Sequence, residues 1–224
     1  MEFDLIYPKR REDAFDADCI VAAVFFNDEE LQAFGVDSDS WELNDAFYDF
    51  NQFEKAFELW ASPLYLSDFY DQFKPFLEAD YWRNISEDTF QREVSQSLNV
   101  IRKAILDSFK NNTFHELLEP LDFSDEQNRL SESIRVKLKQ GTIIGHHPFR
   151  FYAIEIEEKK CYLITGATIK VHKDMGKADN TRIELKKLDY TLQHIKENTL
   201  DTKDVFVTQV QLNTIIKYIY QSNF

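Results

Sequence analysis

Residues 134–171 read IRVKLKQGTIIGHHPFRFYAIEIEEKKCYLITGATIKV, and this stretch decides the fold. Apolar and basic residues alternate over 134–139, which predicts a strand with one buried face and one basic face. Two longer apolar runs, at 149–156 and 161–171, flank a short polar turn, as the strands of an antiparallel hairpin do. We therefore predict a small antiparallel β-sheet in the second half of the chain.

Helical periodicity marks the segments on both sides of this sheet. Apolar residues recur at steps of three and four after the cap sequence Ser86-Glu87-Asp88, and two aromatic stripes lie upstream. Asn180 or Thr181 is expected to cap a further helix downstream. The predicted helices cover 47–60, 66–77, 86–110, 181–197 and 205–220. The predicted class is α+β, with a helical N-terminal part, a small antiparallel sheet and a packed C-terminal helix.

The composition excludes two broad classes of protein. Hydrophobic residues make up 43% of the 224 residues and aromatic residues 15%, enough to form a core, so a disordered chain is excluded. The net charge of −14 excludes a protein that coats nucleic acid with its whole surface. Residues 1–119 hold 26 acids and 10 bases, whereas residues 135–187 hold 12 bases and 6 acids. A polyanion must therefore bind locally, to the second half.

Localisation and cofactor signals are sparse. The N-terminus MEFDLIYPKR lacks the apolar run of a signal peptide, and the longest apolar run, at 19–26, is too short to cross a bilayer. Two distant cysteines fit reduced thiols. We expect a cytoplasmic protein without membrane contact. No metal-ligand spacing or glycine-rich phosphate loop occurs, so neither a metal nor a cofactor is expected.

Basic residues of the predicted strands are the candidate functional groups. Alternate residues of one strand share a face, which groups the bases of 134–139, and a hairpin neighbour brings the base of 149–156 alongside. Cations and an imidazole at the strand ends could surround a phosphodiester. The alternative, a solvated basic face that balances the acidic half, stays open at this point. These residues are Arg135, Lys137, Lys139, Arg150, Lys170, His172 and Lys173.

The order of elements and several short motifs resemble the RelE/HigB-like toxins of bacterial type II toxin–antitoxin systems. The resemblance covers about residues 63–198, within the C-terminal two-thirds of the chain. The motifs are Phe114-x2-Leu117-Leu118-x-Pro120-Leu121, Arg135-Val136-Lys137-Leu138-Lys139, Phe149-Arg150-Phe151-Tyr152 and the strand from Ile164 to Lys170.

The resemblance implies a metal-independent endoribonuclease that cleaves messenger RNA at the ribosome. Arg150 would stabilise charge on the phosphate. The implied catalytic residues are Lys137, Arg150, Lys170 and His172, and the implied RNA-binding residues are Arg135, Lys139 and Lys173. The implied partners are RNA or the ribosome, and an antitoxin or another protein.

The resemblance divides the chain into an acidic helical extension (1–62), a RelE-like α+β domain (63–198) and a packed helical tail (199–224). The extension would mask the basic face, or simply enlarge the core as a helical layer. An alternative function is a non-catalytic RelE-like fold that serves as a protein-interaction module.

Overall fold

A computed structural model describes residues 1–10, 13–44, 49–79, 82–118, 149–157, 159–172 and 177–213. For residues 119–120, 135–140 and 214–222 it describes the course of the backbone. The strands are β1 (Glu2–Tyr7), β2 (Ile20–Phe25), β3 (Glu119–Pro120), β4 (Arg135–Gln140), β5 (Phe149–Glu157) and β6 (Cys161–Ile169). The α-helices are α1 (Asp28–Phe34), α2 (Gln52–Ala61), α3 (Pro63–Leu77), α4 (Glu87–Lys110), α5 (Asp179–Glu197) and α6 (Lys203–Ser222).

The strands of the described chain form one mixed sheet in the order β1-β2-β6-β5-β4-β3. All neighbouring pairs are antiparallel except β2 and β6, which run parallel with Ile20 opposite Cys161 and Ala23 opposite Ile164. The five residues 20–24 of β2 are completely buried. Such a strand reads as a continuous apolar run because both of its faces are covered.

Helices cover both faces of the sheet and produce two apolar cores. One core joins α2, α3 and α4 to the face that carries Phe149, Phe151 and Ala153. The other core joins α1, α5 and α6 to the face that carries Tyr152 and Ile154. None of the helices in the described part of the chain is both long and apolar enough to span a bilayer.

A β-bulge in β6 changes which residues face α5. Tyr152 is opposite Gly166 and Ala153 is opposite Ile164, so Thr165 is the extra residue. Beyond the bulge, Gly166 and Thr168 lie on the α5 face, whereas a regular strand would have turned them to the other face. The bulge therefore brings the last part of β6 to the start of α5.

The predicted α+β class is confirmed, as are the hairpin of β5 and β6 and the helices that correspond to α2–α6. The prediction that residues 1–62 are a helical extension was wrong in part: this segment contains α1 and α2, but it also supplies β1 and β2 to the sheet. A short apolar run such as 19–26 has no periodicity that separates a buried strand from a buried helix. The predicted small antiparallel sheet was too narrow, since the sheet is mixed and six-stranded. The cap of α5 was also misplaced: Ala178 precedes the helix and provides no side-chain cap.

Candidate functional site

Three polar side chains meet at the end of the β5–β6 hairpin. Arg150 is directly opposite Thr168, and Lys170 follows two residues later, just after β6 ends. Their residues are only 6%, 5% and 7% exposed, respectively. The Arg150 guanidinium donates a hydrogen bond to the Phe149 carbonyl over 2.9 Å, which orients it along the strand end. The hairpin thus holds two cations and a hydroxyl in a largely buried position.

The first turn of α5 completes this group. The Asn180 side-chain amide donates to Thr168 Oγ1 and to the Ile169 carbonyl, both over 2.8 Å. The helix begins at Asp179 without a side-chain cap. The helix dipole attracts anions at such a start, and the carboxylate of Asp179 in the first turn reduces this attraction for a further anion. We refer to Arg150, Thr168, Lys170 and Asn180 as the Arg150 cluster.

The surroundings of Lys170 in the Arg150 cluster make this lysine less basic. Burial lowers the pKa of Lys170 below its ordinary value, and the neighbouring Arg150 charge lowers it further. The neutral amine of Lys170 is consequently populated at lower pH than that of an exposed lysine. A lysine with a lowered pKa can accept a proton.

His172 follows Lys170 by two residues and packs against α3. Its ring is 5.8 Å from the Phe76 ring in an edge-to-face arrangement, and the residue is half-buried. Trp82 anchors the same segment by donating from Nε1 to the Lys170 carbonyl over 2.9 Å. Lys173 lies outside the described residues.

The register of β4 assigns its basic positions and the Arg150 position to opposite faces of the sheet. Lys137 is opposite Ala153, whereas Arg150 is opposite Gln140. Directly paired residues belong to the same face of a ladder, and alternate positions belong to opposite faces. The Lys137 position therefore belongs to the face opposite the Arg150 position, and the Arg135 and Lys139 positions follow Lys137. Their side chains lie outside what the structure describes, so their RNA-binding and catalytic roles stay predictions.

An open cavity of about 610 Å³ borders the Arg150 cluster, with Thr168 and Asn180 in its wall. It lies between α2 and α3 on one side and α5 on the other. Sequence reasoning missed Thr168, Asn180 and the polar residues of this cavity. The "ITGAT" stretch gave one available signal, since a glycine inside a strand indicates a bulge or a close approach. The described residues contain no group of three or more His, Cys, Asp and Glu side chains placed to hold a metal ion.

Comparisons with known proteins add nothing to these assignments, which rest on the geometry alone. No family model matches the sequence, and searches of curated proteins and solved structures give no significant match.

Proposed function

We propose that this protein is a RelE-like endoribonuclease that cleaves RNA at the Arg150 cluster. The observation that carries the proposal is the placement of Arg150 and Lys170 side by side, next to the start of α5. The Arg150 guanidinium favours a phosphate ligand, and the Lys170 amine with its lowered pKa lies next to it. The open cavity borders Thr168 and Asn180 of the same cluster.

The residue types suit cleavage through the ribose 2′-hydroxyl. The neutral Lys170 amine takes the proton of the 2′-hydroxyl, whose oxygen forms a bond to phosphorus. The bond from phosphorus to the 5′-oxygen breaks, and His172 gives a proton to that oxygen. Arg150 stabilises the negative charge of the pentacoordinate phosphate by bidentate hydrogen bonds. The products are a 2′,3′-cyclic phosphate and a 5′-hydroxyl end.

The charge distribution is compatible with local RNA binding. Residues 135–187 hold 12 bases and 6 acids within a chain of net charge −14. The acidic remainder repels a polyanion unless it is directed away from it. RNA contact is therefore confined to the region around the β5–β6 hairpin.

The experiment follows cleavage of messenger RNA by the purified full chain, with and without translating ribosomes. Arg150→Lys keeps the charge but loses the planar fork, and Lys170→Met keeps the length but loses the base. We expect each variant to lower the cleavage rate by about 100-fold or more. Lys196→Met is the matched control, because Lys196 is an exposed lysine at the far end of α5.

Thermal unfolding of each variant separates chemistry from folding. Cleavage that survives in both folded variants would contradict the assignment. Absence of cleavage by the wild-type chain, with RNA and ribosomes present, would instead favour the non-catalytic interaction module.

A further inference from the structure

The cavity beside the Arg150 cluster lies near the carboxyl end of β6, one of the two parallel strands. Pairing between β2 and β6 ends at Ala23 and Ile164, and β6 continues for five residues beyond this point. The cavity includes Ala167 and Thr168 of this extension. In open sheets with helices on both faces, the crevice outside the carboxyl ends of parallel strands is the usual place for a small ligand. The volume of about 610 Å³ is within the range of small-molecule sites.

Charged side chains are buried in the wall of this cavity. Lys187 Nζ donates to Glu184 Oε1 over 2.8 Å and to Gln52 Oε1 over 3.1 Å. The side chains of Lys187 and Glu184 are 1% and 3% exposed, and Lys55 of α2 is buried beside them. Burying ions costs more than apolar packing of similar volume. Their presence in a cavity wall is therefore typical of a ligand site.

The backbone of β6 leaves space for the Glu184 carboxylate. A Cβ atom on Gly166 would lie 1.7 Å from Glu184 Oε2, so only glycine admits the carboxylate. The bulge at Thr165 turns Gly166 towards α5. The glycine at position 166 and the bulge at Thr165 thus both allow the Glu184 side chain to occupy this position.

The buried and the exposed parts of the cavity wall carry net charges of opposite sign. Among the described lining residues, the buried charges are those of Lys55, Lys187 and Glu184, and they sum to a net positive charge. The exposed part carries more acids than bases, with Asp37, Asp39, Asp68 and Asp179 against Arg182 and Lys186. Acids at the opening disfavour a polyanion, whereas a single anionic group is attracted further in. Hydrogen-bond donors on the outer end of the ligand would suit the exposed carboxylates.

Aromatic rings form another part of the wall. Trp41 and Tyr65 are half-buried, in edge-to-face contact with 6.3 Å between their ring centres. Trp41 is held by a hydrogen bond from Nε1 to Asp68 over 2.9 Å. Rings that line a cavity and keep partial exposure can stack on a planar ligand.

From these contacts we propose that the cavity binds a small molecule in which a planar ring carries one anionic group. A nucleoside monophosphate and an aromatic carboxylate share this chemistry. The anionic group lies near Lys55 and Lys187, the ring contacts Trp41 and Tyr65, and donor groups face the exposed acids. This binding requires no RNA and no cleavage, so it is independent of the proposed ribonuclease activity.

The test titrates the full chain with each nucleoside monophosphate, with the matching nucleosides, and with indole-3-acetate. Binding is followed by calorimetry and by tryptophan fluorescence, since Trp41 and Trp60 both line the cavity. We expect saturable binding of at least one anion, and binding weakened by about tenfold or more when its anionic group is absent. The nucleotide and the carboxylate arms distinguish the two sources of the ligand.

Two variants and one control locate the binding site. Lys55→Met should weaken binding by about tenfold, because a charged hydrogen bond is lost. Trp41→Leu, at a half-buried position, should also weaken binding by removing the stacking ring, and it provides the test if Lys55→Met fails to fold. Lys74→Met is the control, since Lys74 is 53% exposed on α3 and lies outside the cavity.

Failure of all probes to bind at millimolar concentration would overturn the proposal. Equal affinity of wild type and of the folded cavity variants would also overturn it.

Discussion

Gly166 and Glu184 meet where α5 approaches β6 most closely. We expect Gly166→Ala to lower the free energy of unfolding by about 1–3 kcal/mol, because the added methyl group displaces a buried carboxylate. Glu184→Ala removes the obstacle but leaves Lys187 buried without its carboxylate partner. The double variant should therefore be more stable than the sum of the two single effects predicts. Urea denaturation of the four proteins measures this coupling, and strictly additive effects would contradict the contact.

The lowered pKa of Lys170 leads to a prediction about the pH dependence of the cleavage rate. Its pKa is lowered by burial and by the Arg150 charge, and a general base acts in its neutral form. Because His172 gives a proton in the same reaction, the base is isolated in a His172→Asn background, where the cleavage rate should rise with pH below the pKa of Lys170 and level off above it. Rates measured between about pH 6 and 9, corrected for spontaneous RNA hydrolysis, test this expectation.

Lys170→Arg is the informative variant, because a guanidinium stays protonated throughout this range. In the His172→Asn background it should lose the rising limb, whereas Lys196→Met should keep it. A rate of the His172→Asn protein that is constant or that falls with pH would exclude Lys170 as the base.

The N-terminal caps of α1 and α2 are of the same type, but we expect them to contribute differently to the free energy of unfolding. Asn27 and Asn51 both form capping boxes, with Glu30 and Glu54 respectively. Asn51 is completely buried and also donates to Asp4 of β1 over 3.2 Å, whereas Asn27 is exposed.

We expect Asn51→Ala to cost about 2 kcal/mol and Asn27→Ala about 1 kcal/mol of unfolding free energy. The larger loss follows because Asn51 joins the start of α2 to the sheet as well as capping the helix. Chemical denaturation of the two variants provides the comparison. A greater loss for Asn27→Ala would show that the bond to Asp4 contributes nothing.

At the scale of the whole molecule, residues 1–62 contribute to both the sheet and the helical layers. They supply β1 and β2, and β2 is the parallel neighbour of β6. Removing them exposes the β6 edge and the apolar surface of both cores. We therefore expect the 63–224 fragment to lack a cooperative thermal transition. Circular dichroism melts of the fragment and of the full chain make the comparison, and a cooperative melt of the fragment would contradict it.

Deletion of residues 1–62 consequently cannot test whether the acidic half masks the basic face. Neutralising exposed acids in the intact chain is the better experiment. Glu58 on α2 and Asp71 on α3 are exposed, and their replacement by Gln and Asn leaves the sheet intact. If the acidic half repels RNA, these substitutions should strengthen RNA binding, most strongly at low salt. Unchanged binding at every salt concentration would instead indicate a plain structural layer.

The sequence alone determined the elements that arise from neighbouring residues. The period of the apolar residues predicted α3, α4 and the tail helix, and the polar turn between two apolar runs predicted the β5–β6 hairpin. These predictions were correct because the hydrogen bonds and apolar faces of such elements lie within a few residues of each other. The basic residues Arg150 and Lys170 were selected as candidates in the same way, as charges inside or just after apolar strands, and their roles stay predictions.

Only the tertiary structure decided how distant segments combine. The β2–β6 pairing joins segments about 140 residues apart, and no local period announces it. The bulge at Thr165 reverses the face of Thr168 and brings it to Asn180, which a regular alternation cannot predict. The cavity likewise unites Gln52 of α2 with Lys187 of α5. Such contacts depend on the packing of whole elements against each other, and that packing is fixed by burial of apolar surface over the entire chain.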